Sequence, residues 1–536
     1  MINPVRISVA LALVLAGTLA GVSCGGGTSQ TPGGGGNRNA SVTVTIGEEP
    51  DTLDPQRSNA AVAGQILQNA GDTLVAQASN GQIVPDLASS WQPANGGLQW
   101  TFNLKHGVTF QNGDKVDAQA VKASFGRALD PATHAGGVAA LLAPVKDVRV
   151  TAPDQIIFDL KQPYSPFLQN MTNPTTVIVD AAAATRMGTA FGRAPVLTGA
   201  FKIVNWVSGT SVTLVRNDAH HWGPSFAAGA PSIKTLVFRI ITDDQTAVAA
   251  LENNEVQAAA IPPAHVAQFQ HNSAFNMYHF LRKGVGFYLE FDVNNPPFND
   301  IRVRRALMYA IDKKAIVKVA LQGQGIPACG PLPPSIPGYW PGICHYGPQY
   351  DQAKAKQLLA DAGWKPGPDG KLQKNGQPFA FTVYTMATPA SWADSAQLVQ
   401  QQLAQIGITL QIQNFEFATL LSKITASQDQ AHFMGYTYTS PDILYLLFYS
   451  AAAGGGGINF SHVQDPKLDS MINQYRQELT TAQQNQTYEE IQKYVVDQAI
   501  EVPIWNNENY GVTAKNLHNV HLNYNGLVIW QNVTVS

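Results

Sequence analysis

The side chains of this chain that could do chemistry fall into a few groups. His220 and His221 are adjacent, and imidazole nitrogens can ligate a transition metal. Neighbours on a strand or turn point apart, however, and no cysteine or carboxylate cluster lies near the pair in sequence. They read as surface or packed histidines. Cys329 and Cys344 flank the Pro-rich stretch GPLPPSIPGYWPGI. In an exported chain they would close that loop as a disulfide, stabilising by about 3 kcal/mol on chain-entropy grounds; the alternative is two free buried thiols. Between 435 and 442 the sequence GYTYTSPD collects Tyr436, Tyr438, Thr439 and Asp442: rings for stacking, a hydroxyl and a carboxylate for hydrogen bonds. Tyr445, Trp392 and Trp505 are further rings that could stack on a sugar or pack in a core. No G-x-S-x-G, H-E-x-x-H, Walker A, C-x-x-C or G-x-G-x-x-G sequence occurs. None of these patterns assigns a catalytic centre, and a hydrolase with another motif stays open.

The composition bears on class as well. Over 536 residues, 34 Lys and Arg face 37 Asp and Glu, a formal net charge of -3. A nucleic-acid binder needs clustered positive charge. The charged fraction of 13% is half the ~25% of an ordinary globular protein, so uncharged polar groups must keep the surface wet. A hydrophobic content of 45% supplies a large core, and the length suggests about three domains. Three cysteines are too few for a disulfide framework.

The N-terminus carries an address. Arg6 is followed by an uncharged run from Ile7 to Ser23, rich in Ala and Gly and shorter than the ~20 apolar residues that a membrane span needs. Residues 1–23 therefore read as a secretory signal peptide. The run ends Ala20-Gly21-Val22-Ser23-Cys24, which resembles the lipobox of bacterial lipoproteins, with Gly21 where Leu is commoner. The resemblance implies that Cys24 is lipidated; the alternative is ordinary cleavage with Cys24 unmodified. Residues 24–40 continue as a Gly-rich tether.

Beyond the tether, strand patterns at 41–46, 100–104, 155–160, 211–216, 235–241, 379–385 and 408–415 alternate with helical patterns at 118–128, 303–321 and 353–362. The interleaving implies a mixed α/β fold. Glu49 stands just beyond the first strand, before the turn Pro50-Asp51-Thr52-Leu53-Asp54-Pro55.

A family resemblance covers most of this length. Leu87-Ala88-Ser89-Ser90-Trp91 and Trp100-Thr101-Phe102-Asn103-Leu104-Lys105-His106-Gly107-Val108-Thr109-Phe110 resemble the signature of the peptide/nickel class of substrate-binding lipoproteins of bacterial ABC importers. The following matches keep the same order: Thr198-Gly199-Ala200-Phe201-Lys202, Pro297-Phe298-Asn299-Asp300 with Arg302-Val303-Arg304, Ala310-Ile311-Asp312, and Val502-Pro503-Ile504. The resemblance implies a two-lobed, type II-like periplasmic-binding-protein clamshell with an additional inserted domain. The first lobe would comprise 41–57, 199–284 and 505–536, the inserted domain 58–198, and the second lobe 285–504.

It further implies an exported, lipid-anchored, monomeric receptor. Such a receptor would capture a peptide-like or other organic solute in the interlobe cleft and deliver it to the permease, with no cofactor, no nucleic acid, and membrane contact through the anchor alone. Readings kept beside this are a receptor for an uncharged solute such as an oligosaccharide, a peptide sensor or chaperone, and an exported hydrolase. In peptide-binding members an Asp pairs with the ligand's ammonium; Thr439 stands at that position here. Either Asp442 takes the role, or the ligand has no free amine, or the segment merely packs. Glu49 resembles the family's cleft-facing acid, or is a solvated surface side chain.

Overall fold

The computed structural model describes residues 37–536 apart from 59, 387–388 and 454–456, and leaves the side chains of 136 and 418 undescribed. The signal peptide, Cys24 and residues 25–36 of the tether lie outside the described residues.

The first strand, Ser41–Ile46, forms because Val42, Val44 and Ile46 alternate with threonines. It runs parallel to Thr235–Ile240 and touches Ala258–Ile261 on its other side. Ser211–Arg216 and Phe201–Val207 extend the sheet antiparallel. Val42, Ile66, Leu67, Phe191, Leu214, Leu236 and Trp530 share one core beneath it. A second core belongs to a four-stranded antiparallel sheet, Ala88–Ala94, Gln99–Leu104, Gln155–Leu160 and Val145–Ala152. Against it lies the helix Ala118–Leu129, whose N-cap Asp117 accepts from the backbone N–H of Gln119 and Ala120. Phe158 meets Phe125 edge-on at 4.9 Å and Phe167 at 5.3 Å. This separate sheet and core constitute the inserted domain.

The remaining strands, Val285–Phe291, Ala431–Tyr436, Ala380–Met386 and Thr409–Phe415, form the sheet of the second lobe. Phe287 stacks on Phe433 at 4.4 Å and on Trp505 at 5.1 Å, with Trp392 edge-on. Trp505 also donates Nε1–H to Ser395 Oγ at 2.9 Å. Trp392 and Trp505, rings that a sugar could have used, are therefore core. The helical pattern at 303–321 divides into Ile301–Ala310 and Lys313–Ala320, because Asp312 turns its carboxylate onto the N–H of Ala315 and starts a new helix there. Cys329 and Cys344 are bonded, with Cα atoms 4.9 Å apart, against the same lobe.

Two chain crossings join the lobes. The 14-residue strand Glu501–Ala514 pairs through residues 501–505 with Val285–Phe291, and through 508–514 with Phe275–Leu281. The second crossing is residues 282–284, between those two partner strands. Gly284 is required there. Its φ is +110°, and a Cβ would stand 1.9 Å from the carbonyl oxygen of Tyr436. A hinge made of two strands resists shear but allows bending where the ladder breaks.

Candidate functional site

The segment 435–442 leaves the second lobe's sheet beside this hinge, Tyr436 pairing with Val285. Tyr436 points inward and donates its hydroxyl to Glu290 Oε2 at 3.0 Å. Glu290 is buried, and His432 reaches it with Nε2 at 3.4 Å while Nδ1 lies 2.8 Å from Asp429. Burial pulls the His432 imidazole down, but its hydrogen bonds to Asp429 and Glu290 outweigh that and lift it to about 9. Glu501 sits opposite Glu290 in the ladder, and burial, then the Glu290 charge, push its carboxyl well above the usual range.

Asp442 is also buried and fully engaged. Tyr475 donates to Oδ1 at 2.7 Å, Tyr164 to Oδ2 at 3.0 Å, and Arg476 Nε lies 3.0 Å from Oδ1. Burial pushes the carboxyl up and Arg476 opposes it. The guanidinium in turn lies 3.7 Å above the Tyr445 ring and 4.9 Å from that of Tyr164. Tyr164 comes from the inserted domain, so this acid clamps that domain to the second lobe. Tyr438 is half-buried beside it, and burial followed by the Asp442 charge raises its phenol. The carbonyl oxygen of Thr439 accepts from Tyr524 of the C-terminal segment at 3.3 Å.

Glu49 lies on the first lobe. It accepts from Trp206 Nε1 at 2.9 Å, Ser208 Oγ at 2.8 Å and the Gly209 N–H at 3.0 Å. The Ser208 bond leads the effects that hold its carboxyl below the usual range. Among the described residues it shares no hydrogen bond or ion pair with Tyr436, Tyr438, Thr439 or Asp442. His220 is buried, 4.7 Å from the Trp222 ring and 3.4 Å from Asp72 Oδ2, while His221 is exposed. No group of three or more His, Cys, Asp or Glu among the described residues is placed to hold a metal ion.

Two adjoining open volumes lie beside the hinge. A cavity of about 460 Å³ in the first lobe is lined by Thr45, Phe238, Tyr278, Phe280 and Asn509. A crevice of about 300 Å³ adjoins it, sharing Phe280, Leu522 and Gly526, and reaches Lys283, Ser335 and Tyr524. Sequence reasoning missed Arg282, Lys283, Tyr164 and Arg476. The first two had a signal: adjacent cations before a glycine, between two strand patterns, in a chain poor in charge. Tyr164 and Arg476 had none, because their partner is hundreds of residues away or on another element.

Two α/β lobes on a two-strand hinge, with an open volume beside the hinge, define a solute-binding clamshell. Comparison with known proteins gives the family. The profile of bacterial extracellular solute-binding proteins, family 5 Middle, matches residues 82–457. A glutathione-binding protein, GsiB, from Escherichia coli O1:K1 is 31% identical over 377 residues, 69% of each chain. The chain belongs to this family of extracellular solute-binding proteins. Among solved structures, NikA from Brucella suis in complex with Fe(III)-EDTA superposes with a TM-score of 0.81 at 22% identity, covering 93% of this chain and 100% of that one. The oligopeptide-binding protein AppA from Bacillus subtilis, with a nonapeptide, gives 0.73 at 22% identity over 94% and 100%. Both share the fold. No described helix is long and apolar enough to cross a membrane.

Proposed function

We propose that this protein is the extracytoplasmic receptor of an ABC importer, which captures a peptide-like or other organic solute between its lobes and presents it to the permease unaltered. The observation that carries this reading is the two-strand hinge with adjoining cavities in a chain of this family. Relatives named for binding glutathione and a nonapeptide support a peptide-like solute. The absence of a recognised catalytic motif supports a role without chemistry.

The chain acts as a monomer held to the membrane by lipid on Cys24, and Cys329 and Cys344 are bonded in the exported protein. Residues 41–57, 199–284 and 505–536 form the first lobe, 58–198 the inserted domain, and 285–504 the second lobe. The packing of Ile66, Leu67 and Phe191 with Val42 and Leu214 supports counting the helix Ala61–Ala70 and the segment around Phe191 with the first lobe instead.

At the cleft, Tyr438 and Thr439 border the solute, and Glu49 and Tyr436 support the cleft through their own partners. Asp442 does not substitute for an ammonium-binding Asp, since Arg476 already neutralises it. Native mass spectrometry of protein purified from its host tests the reading: a co-purifying organic solute is expected. Protein with no retained solute, and no calorimetric response to peptides or other organic solutes, would sink it.

A further inference from the structure

Arg282 and Lys283 are consecutive cations on the crossing that joins Phe275–Leu281 to Val285–Phe291. Arg282 donates to Thr437 Oγ1 at 2.5 Å. Lys283 donates to the Ser335 carbonyl oxygen at 2.9 Å, and its ammonium lies 3.7 Å from the centroid of the Tyr524 ring. Among the described residues neither cation is ion-paired with a carboxylate. The acid beside them is Glu508, which pairs with Leu281 in the ladder; its carboxylate accepts from the Tyr510 hydroxyl and lies 3.8 Å from His279 Nδ1.

Lys283 is the charged lining residue of the 300 Å³ crevice, whose walls come from all three parts of the molecule: Leu522 and Tyr524, Pro334 and Ser335, and Ser79. An ammonium partly withdrawn from water, with a carbonyl and a ring face but no counter-charge, retains donors and electrostatic demand for an anion. Burial accordingly pulls its pKa down to about 8.

We propose that this crevice receives an anionic group of the solute, a carboxylate, with Lys283 as its counter-ion and Arg282 adding to the positive potential at the hinge. A carboxylate held there touches both lobes at once, so it favours the closed arrangement over the open one. The identity of the solute rests on the receptor reading above; the anion site does not.

The test is calorimetric, on the full chain, with three probes: succinate, N-acetyl-trialanine, and the C-terminal amide of N-acetyl-trialanine. Wild-type protein is expected to bind the peptide acid about tenfold or more tighter than the amide, the effect of one charge-assisted hydrogen bond in a partly buried site. Lys283→Met should erase that difference by weakening binding of the acid, and Lys283→Arg should keep most of it. Equal binding of acid and amide by the wild type overturns the anion site and leaves the receptor reading standing. A preference that survives Lys283→Met overturns it too, because another cation then holds the carboxylate. Lys283-dependent binding of succinate without either peptide supports the anion site and counts against a peptide-like solute. No response to any probe up to tens of millimolar overturns the anion site. Unfolding midpoints of both variants confirm that the fold is intact.

Discussion

Asp442 and Glu49 are two carboxylates placed near the cleft by their sequence context, and the molecule treats them in opposite ways. Asp442 is buried between the inserted domain and the second lobe, where its charge has recruited a guanidinium and two phenols. Glu49 is half-exposed on the first lobe and is satisfied by an indole, a hydroxyl and a backbone N–H. Water does part of the work for Glu49. For Asp442 the protein must do all of it, because an ion taken out of water costs several kcal/mol unless paired. The lesson is that an acid beside a cleft is available to a ligand only when its burial has not already demanded a partner.

The strongest way to break this comparison is to remove the acid and keep its cation. Asp442→Ala leaves Arg476 buried without a counter-charge and is expected to destabilise by about 3–5 kcal/mol, read from urea unfolding. Replacing both members, as in Asp442→Leu with Arg476→Met, should recover much of that loss. A single-variant loss below ~1 kcal/mol would show that the pair contributes little.

The buried acid Glu290 extends the comparison to pH. His432 between Glu290 and Asp429 titrates at about 9 in the folded protein, above the ordinary 6.5. Its raised value means that its contribution is fully present below about pH 6.5 and is lost as pH rises through about 9. The full span corresponds to roughly 3 kcal/mol. Unfolding midpoints measured across this window should fall, and His432→Gln should flatten that fall. An unchanged slope in the variant would assign it to other groups.

Glu49 should give the smallest effect. Glu49→Gln keeps most of the hydrogen bonds and removes a half-exposed charge, so stability should change by less than about 1 kcal/mol. A loss comparable to that of Asp442→Ala would erase the distinction between the two acids.

Much of the fold was legible in local pattern. Ser41–Ile46, Gln155–Leu160 and Ser211–Arg216 coincide with strand alternation in the sequence, since one face of each is buried and the other is not. The helix Ala118–Leu129 extends its expected range by one residue, and Gln352–Asp361 lies within one residue of its own. The break at Asp312 escaped periodicity, because a side chain that caps a new helix keeps the apolar spacing on both sides almost continuous.

At the site, sequence drew attention to Tyr436, Tyr438, Thr439 and Asp442 as one group, and they are neighbours along one segment. Sequence by itself determined the residue types, the period of each element and the absence of recognised catalytic motifs. Only the tertiary structure decided which charges were free. Tyr164 meets Asp442 across 278 residues of chain, and Tyr524 meets Ser335 across 189. The availability of a buried charge depends on the groups that folding brings within a few ångströms of it, and those groups leave no local trace in the sequence.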